Sequence, residues 1–346
     1  MERLAGAWCD GSALSFRLAD HEQKLAGVRL QCAFLGHPPF RYATADRRWE
    51  LRVPRPDVAR VEYRLELIHR DGRRKTICDQ SNPRRAPGGF GESSVLWCPD
   101  YREPDWLHLP AARGEWREVD LPLPALRAAV TARIWSPATP TDRVLVAHDG
   151  PDYDRYAALG RFAAAGIAAG RFEPFHLVLL PAGERFEWYA ASPAYARSLA
   201  SGILPKLAAE LGTGRPVIGA GASLGALAML HAQRYHPAGF AGLFLQSGSF
   251  FQPRFDRQES GFARYLRIVR FVGRVLRSPD GPAVPVAMTC GTVEENLANN
   301  RGMAEALRAQ GYPVRFAENR DAHTWIGWRD TLDPHLTSLL QRVWPH

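Results

Sequence analysis

One serine of the chain lies in a pattern that activates hydroxyl groups. Residues 221–225 read Gly-Ala-Ser-Leu-Gly, between the apolar run 216–220 and the helix-like pattern 226–231. A strand, a G-x-S-x-G turn and a helix form a nucleophile elbow, in which the glycines let strand and helix pack close to the serine. A glycine-rich turn can carry the same five letters, but the flanking patterns favour the elbow. We therefore predict that Ser223 attacks a carbonyl carbon.

A serine hydroxyl needs a histidine to take its proton and a carboxylate to hold that histidine. In chains with such an elbow, the acid and then the histidine follow the serine. His323 directly follows the predicted strand 314–316, so its loop should emerge at the carboxyl end of that strand. We predict His323 as the base. The other downstream histidines lie on predicted helices or at the last position: His231, His236, His335 and His346.

Two glutamates are candidates for the acid. Glu294 and Glu295 both follow the predicted strand 284–288, and spacing alone does not separate them. A carboxylate at Glu295 is also explained as a charge favoured near a helix N-terminus, which puts Glu294 ahead. Asp321 is a third candidate, but two residues from His323 it is better placed to shape its own loop.

The negative oxygen that forms on an attacked carbonyl needs backbone N–H donors. Leu224 supplies one, because it begins the helix after the serine. The second donor should come from the loop 148–154, which follows the first predicted buried strand. Pro151 has no N–H. The second donor is therefore Gly150 or Asp152.

The secondary-structure patterns around these residues divide the chain into two parts. Residues 1–110 carry short alternating segments separated by turns, as in 49–53 and 61–67, with Asp71-Gly72 as a tight reversal. This half predicts a β-sandwich domain without a convincing helix.

Residues 111–346 alternate between buried strands and amphipathic helices. Such alternation predicts an α/β domain with a mostly parallel sheet covered by helices, and a ligand site at the carboxyl ends of the strands. Further predicted strands are 144–147, 177–180 and 243–245, and predicted helices include 199–211, closed by Gly212, and 297–310, closed by Gly311.

Composition and charge restrict the classes of function that the chain can have. The chain has 346 residues, a net charge of +8 and 46% hydrophobic residues, but no apolar run long enough to span a membrane. Its arginines are dispersed without a nucleic-acid-binding motif, which argues against nucleic acid as a partner. The first residues lack the apolar region of a secretory signal, and the five cysteines show no disulfide or zinc spacing. We expect a cytoplasmic protein that uses no metal or organic cofactor, and the sequence gives no indication of oligomeric state.

Several motifs of the second half resemble one known family. They are the Asp149-Gly150 loop, 185–189, 221–225, Gln246-Ser247-Gly248-Ser249-Phe250, 291–294 with Asn300-Arg301, and 323–325 with Trp328-Arg329. Their order and spacing resemble the enterochelin (ferric-enterobactin) esterase branch of the esterase D superfamily of α/β-hydrolases. The resemblance covers roughly residues 115–340, and the stretch 79–83 is similar to the end of that family's N-terminal immunoglobulin-like (E-set) domain.

The resemblance implies a serine esterase. Carried over by position, it makes Ser223 the nucleophile, His323 the base and Glu294 the acid. The expected partner is a small-molecule ester, and an anionic ferric siderophore with a trilactone backbone would suit a basic chain. Within the resembling motifs, substrate contacts are expected from Arg185, Glu187, Trp188 and Trp325, although filling the core explains such aromatic residues as well.

Two rival functions remain open. A general carboxylesterase, a feruloyl-type esterase or an acyltransferase would share every catalytic residue and differ only in pocket shape. Alternatively, the hydrolase could be degenerate and the sandwich a glycan- or protein-binding module. An intact Ser/Glu/His set argues against degeneracy.

Overall fold

The computed structural model describes residues 6–89 and 91–345. Within them the backbone forms two compact units. The first consists of residues within Met1–Glu103 together with Gly291–Glu294 and Asn319–Gly327, and the second of residues within Pro104–Cys290, Glu295–Glu318 and Trp328–His346. Each short segment starts at the last residue of a strand and continues along the chain as the loop after that strand.

The N-terminal part of the first unit is all β. One antiparallel sheet has the order β1-β2-β5-β4, and the other has the order β3-β6-β9-β8 with β7 beside β6. The strands are β1 Ala7–Cys9, β2 Ala13–Ala19, β3 Leu25–Gln31, β4 Arg41–Ala43, β5 Arg48–Pro54, β6 Arg60–His69, β7 Arg74–Ile77, β8 Arg85–Ala86 and β9 Ser93–Trp97.

The two sheets pack against each other through the buried face of each. Phe16 on β2 and Tyr63 on β6 are both buried, and their rings meet edge to face at 4.9 Å. Because successive residues of a strand point to opposite faces, one face of each sheet supplies the core. The sandwich predicted from residues 49–53 and 61–67 is confirmed, and Gly72 makes the predicted reversal with φ 85°.

The second unit is built on an eight-stranded sheet. Its order is β10-β11-β13-β12-β14-β15-β16-β17, and the pairs from β13 through β12, β14 and β15 to β16 are parallel. The strands are β10 Gly114–Leu123, β11 Ala128–Pro137, β12 Val144–Ala147, β13 His176–Leu179, β14 Val217–Ala222, β15 Phe240–Gln246, β16 Val286–Gly291 and β17 Val314–Asn319. This sheet and the sandwich confirm the predicted fold class.

Helices follow most of the parallel strands. The α-helices are α1 Gly150–Ala157, α2 Leu159–Ala168, α3 Arg185–Trp188, α4 Pro193–Ser198, α5 Leu204–Leu211, α6 Leu224–Tyr235, α7 Tyr265–Arg277, α8 Leu297–Ala309, α9 Trp325–Asp330 and α10 Thr337–Val343. The predicted helix 199–211 begins as a π-type segment, Leu199–Ile203, and continues as α5 to the left-handed Gly212. No helix in the described part of the chain combines the length and the apolar content that crossing a membrane requires.

One part of the predicted alternation is wrong. The second unit begins with an antiparallel hairpin, β10 paired to β11 over ten residues, and not with a strand followed by a helix. β10 buries only Val119, Leu121 and Leu123, while its remaining residues are exposed. A strand at the edge of a sheet, with one face exposed to solvent, lacks the continuous apolar run that identified the inner strands.

Candidate active site

Ser223 occupies the turn between β14 and α6. Its backbone angles, φ 56° and ψ −123°, lie in a region that residues with side chains rarely adopt. The strand and the helix lie so close here that a Cβ on Gly221 would be 2.5 Å from the carbonyl carbon of Gly225, so this position requires glycine. The predicted strand, turn and helix are therefore present, with Ser223 half-buried at their apex.

The backbone around Ser223 is held from the next strand. The Ser223 N–H donates to the Gln246 carbonyl at 2.9 Å, and the Ser223 carbonyl accepts from the Ser249 N–H at 3.1 Å. The hydroxyl oxygens of Ser223 and Ser249 lie 3.2 Å apart. The nucleophile candidate is thus fixed by main-chain bonds that do not involve its own hydroxyl.

A buried histidine connects the loop after β12 to the start of α6. His148 is fully buried, and its Nδ1 lies 3.0 Å from the Gly225 carbonyl while its Nε2 lies 2.8 Å from the Tyr195 hydroxyl. Because a carbonyl can only accept, Nδ1 carries the hydrogen and Nε2 accepts from Tyr195. Burial lowers the pKa of His148 to about 4, so the ring is neutral at pH 7. Sequence analysis missed this residue, since its role depends on contacts distant in the chain.

The neutral His148 predicts an acid-sensitive fold. Between about pH 6.5 and pH 4 the unfolded chain takes up a proton on this ring and the folded chain does not, so the free energy of unfolding falls as the pH falls. One such group contributes a slope of about 1.4 kcal/mol per pH unit. We expect His148→Gln to lose stability less steeply across this window than wild type, measured by thermal unfolding at pH 7, 6, 5 and 4.5.

His231 provides an independent second test of the same effect. Burial likewise lowers its pKa to about 4, and its ring packs edge to face on Phe271 at 4.8 Å. Because His231→Gln removes a second group of the same kind, the two single variants should flatten the acid slope by similar amounts. An unchanged slope in His148→Gln would contradict a neutral buried ring.

A carboxylate and an imidazole form a close pair in the first unit. Glu294 Oε2 lies 2.7 Å from His323 Nδ1, and the Glu294 side chain is 1% exposed whereas that of His323 is 36% exposed. The other carboxylate oxygen accepts the Gly291 N–H at 2.8 Å. An ionised carboxylate only accepts, so His323 carries its hydrogen on Nδ1 and leaves Nε2 as the basic nitrogen.

The other two acid candidates have different surroundings. Glu295 is exposed, and its carboxylate accepts from Gln258 Nε2 at 3.3 Å. Asp321 is buried and accepts from Arg60 Nε at 2.6 Å and from the Ala322 N–H at 2.7 Å. Of the three carboxylates, the structure brings Glu294 to the imidazole, and Asp321 shapes its own loop as its position predicted.

An arginine of the sandwich holds the loop that carries His323. Arg60, at the start of β6, is 1% exposed and binds both Asp321 and the Thr324 hydroxyl, the latter at 2.9 Å. It also pairs with Glu62. A buried guanidinium requires such partners, and its planar fork can hold two at once. The residues on both sides of His323 are therefore fixed by one side chain, which sequence analysis did not identify.

The same loop has main-chain and apolar contacts to the sandwich. The Ala59 N–H donates to the Arg320 carbonyl at 2.7 Å, and Ile326 packs with Ala86 and Val95. Val293, beside Glu294, packs against the core of the sandwich. The acid and base candidates thus belong to the same compact unit as the N-terminal strands.

The predicted oxyanion donors begin two helices of the second unit. Leu224 and Asp152 lie in the first turns of α6 and α1, where N–H groups have no partner within their own helix. The Gly150 N–H, in contrast, donates to the Leu180 carbonyl at 2.8 Å. Gly150 is therefore the weaker of the two predicted second donors, because its N–H is already engaged.

Most of the residues expected to contact substrate have protein partners. Arg185 binds Asp149 with two nitrogens at 2.9 Å, and Trp188 lies in the core and stacks on Tyr195. Glu187 binds Arg264 and Arg267, which ties α3 to α7. These contacts give the three side chains a role in holding loops. Trp325, at the start of α9, is half-buried, and substrate contact by these residues stays a prediction.

Comparison with protein families identifies one match. Residues 129–339 match the model of the Esterase family, described as "Putative esterase". The match covers well over half of the chain and includes Ser223, Glu294 and His323. No curated protein sequence matches the chain.

Solved structures with similar folds fall into two groups. The enterobactin esterase of Shigella flexneri, determined in the presence of enterobactin, matches with a TM-score of 0.76 and 18% identity over 96% of this chain and 94% of that chain. The ferric enterobactin esterase of Salmonella typhimurium matches with a TM-score of 0.78 and 16% identity over 95% and 93% of the chains. A ferulic acid esterase matches with a TM-score of 0.54 and 16% identity, over 67% of this chain and all of that chain. At these identities the likeness establishes the fold, which is the one that the sequence motifs predicted.

Proposed function

The chain belongs to the Esterase family and is a carboxylic ester hydrolase, and from this premise we propose that it works as a serine esterase with Ser223, His323 and Glu294 as its catalytic triad. The observation that carries the proposal is the 2.7 Å hydrogen bond between Glu294 and His323. It leaves Nε2 of His323 as the base, the state that proton removal from a serine requires.

In the first half of the proposed reaction, Ser223 attacks the ester carbonyl while His323 takes its proton. The N–H groups of Leu224 and Asp152 stabilise the negative oxygen of the tetrahedral intermediate. His323 then gives the proton to the departing alcohol, and an acyl group remains on Ser223. Glu294 stays ionised throughout and stabilises the imidazolium that forms between these steps.

In the second half, water replaces the alcohol. His323 takes a proton from water as it attacks the acyl carbonyl, and returns that proton to Ser223 Oγ when the acid leaves. The proposed steps require only side chains, backbone N–H groups and water.

The proposed substrate is a ferric siderophore with a trilactone backbone. The enterobactin esterase folds match both units of this chain, whereas the ferulic acid esterase leaves a third of it unmatched. The net charge of +8 favours an anionic ligand such as a ferric tris-catecholate. Iron would arrive as part of the substrate. The cytoplasmic location expected from the cysteine pattern stays a prediction.

A comparison of three substrate classes tests this proposal. Wild type should hydrolyse ferric enterobactin with a kcat/KM at least about tenfold above those for nitrophenyl acetate and methyl ferulate, since pocket contacts typically discriminate by this much or more. Products are followed by chromatography and absorbance, with Ser223→Ala as the blank for non-enzymatic hydrolysis.

Each rival function gives a different result in the same experiment. Preference for the simple esters without trilactone cleavage would refute the siderophore substrate and leave the serine esterase in place. A wild-type protein that hydrolyses none of them and takes no fluorophosphonate label on Ser223 would instead favour a degenerate hydrolase acting as a binding module.

A further inference from the structure

A second hydroxyl lies beside the proposed nucleophile. Ser249 is 3% exposed, and its Oγ is 3.2 Å from Ser223 Oγ. It belongs to the loop 247–250 that follows β15. Although the sequence motif around it was recognised, the motif alone assigns it no role, because the contact joins two segments that lie 26 positions apart.

The loop that carries Ser249 is fixed on several sides. Asn300, fully buried on α8, accepts the Gly248 N–H at 2.9 Å and donates to the Gly248 carbonyl at 3.0 Å. The Ser247 N–H donates to the Thr289 carbonyl at 2.8 Å, and Ser247 itself has a left-handed backbone with φ 48°. Backbone strain maintained by such bonds is typical of functional sites. The position of the Ser249 hydroxyl is thus built into the fold.

We propose that Ser249 is a catalytic residue whose hydroxyl donates a hydrogen bond to Ser223 Oγ whenever that oxygen gains negative charge. The proposal rests on the proposed function, in which Ser223 is the nucleophile. In that reaction the Ser223 proton must point to His323, so Ser249 must be the donor between the two hydroxyls.

The hydrogen bond acts in both halves of the reaction. As Ser223 Oγ loses its proton to His323 and bonds to the carbonyl carbon, Ser249 stabilises the charge on the attacking oxygen. When the acyl–Oγ bond breaks, the same oxygen leaves with the electron pair and is protonated by His323. Ser249 keeps its own proton in every step.

The distance between the hydroxyl oxygens of Ser223 and Ser249 indicates that their hydrogen bond affects kcat more than KM. At 3.2 Å the two oxygens are farther apart than in a typical O–H···O bond, so the interaction is weak while both groups are neutral. Hydrogen bonds to charged groups are shorter and about twice as strong. An interaction that strengthens only in the transition state raises kcat with little effect on KM.

Two substitutions at Ser249 test the proposal. Ser249→Ala removes the hydroxyl, and Ser249→Cys preserves the shape of the side chain but offers only a weak donor. We expect both to lower kcat for nitrophenyl acetate and the rate of Ser223 labelling by a fluorophosphonate about 10- to 100-fold, with KM changed less than about threefold.

Ser198→Ala is the matched control. Ser198 is fully buried, and its hydroxyl accepts the Ala125 N–H at 3.0 Å, so its loss tests whether any buried serine is needed. This variant should keep the wild-type labelling rate. Wild-type rates of hydrolysis and labelling in Ser249→Cys, or in a folded Ser249→Ala, would overturn the role of Ser249. The proposed function would stand in that case, because Ser223 would still take the label. If wild type itself takes no label on Ser223, the proposed function fails, and the role of Ser249 fails with it.

Discussion

Ser223→Ala is expected to lower kcat for ester hydrolysis by at least about 10⁴-fold, because it removes the hydroxyl on which the proposed acyl intermediate forms. The substitution keeps the Cβ, and the Ser223 N–H and carbonyl bonds to Gln246 and Ser249 are made by the main chain. The strained turn at φ 56° should therefore survive. Rates are measured on nitrophenyl acetate and ferric enterobactin, with thermal unfolding as the check on folding.

The residual activity of this variant is informative. The variant keeps the N–H groups proposed to bind the negative oxygen and the rest of the proposed site, so KM should change little while kcat falls steeply. A folded Ser223→Ala protein that retained a tenth or more of the wild-type rate would rule out Ser223 as the nucleophile.

Glu294→Gln is expected to have the second largest effect, a decrease in kcat of about 10²- to 10⁴-fold. An amide cannot stabilise the imidazolium by charge, and its N–H₂ group can turn toward His323 Nδ1 and favour the wrong tautomer. The Glu294 side chain is 1% exposed, and glutamine has nearly the same shape. The variant can therefore fill the same space, and its amide oxygen can still accept the Gly291 N–H.

Glu295→Gln is the matched control for that experiment. Its carboxylate is exposed and accepts a hydrogen bond from Gln258 Nε2 at 3.3 Å, so we expect activity within about threefold of wild type. Both variants are measured side by side on the same ester. A large loss in Glu295→Gln alone would reverse the assignment of the acid.

The sequence predicted those features of the site that are encoded locally. The elbow is a run of five residues between two elements, so the strand, the turn at Ser223 and the helix could be predicted from neighbouring residues alone. His323 could be proposed as the base because it follows a strand and parallel strands end at a common edge, and its pairing with Glu294 is compatible with that proposal. The inner strands of the sheet were recognisable from their continuous apolar runs.

Features that depend on distant contacts were not predictable. Adjacent residues Glu294 and Glu295 differ only in the direction in which the turn after β16 sends their side chains, and spacing carries no such information. The buried partners of His148 and Arg60 lie on segments far away in the chain. The β10–β11 hairpin was missed because an edge strand buries so few of its residues.

The anchoring of the His323 loop by Arg60 restricts how this enzyme can be re-engineered. A chimera that exchanged the N-terminal strands for those of a relative would have to keep a guanidinium at the same site, or the buried Asp321 would lose its hydrogen bond from Arg60. An exchange of these strands would therefore change the support of the loop that carries the proposed base, even where every residue of that loop was kept.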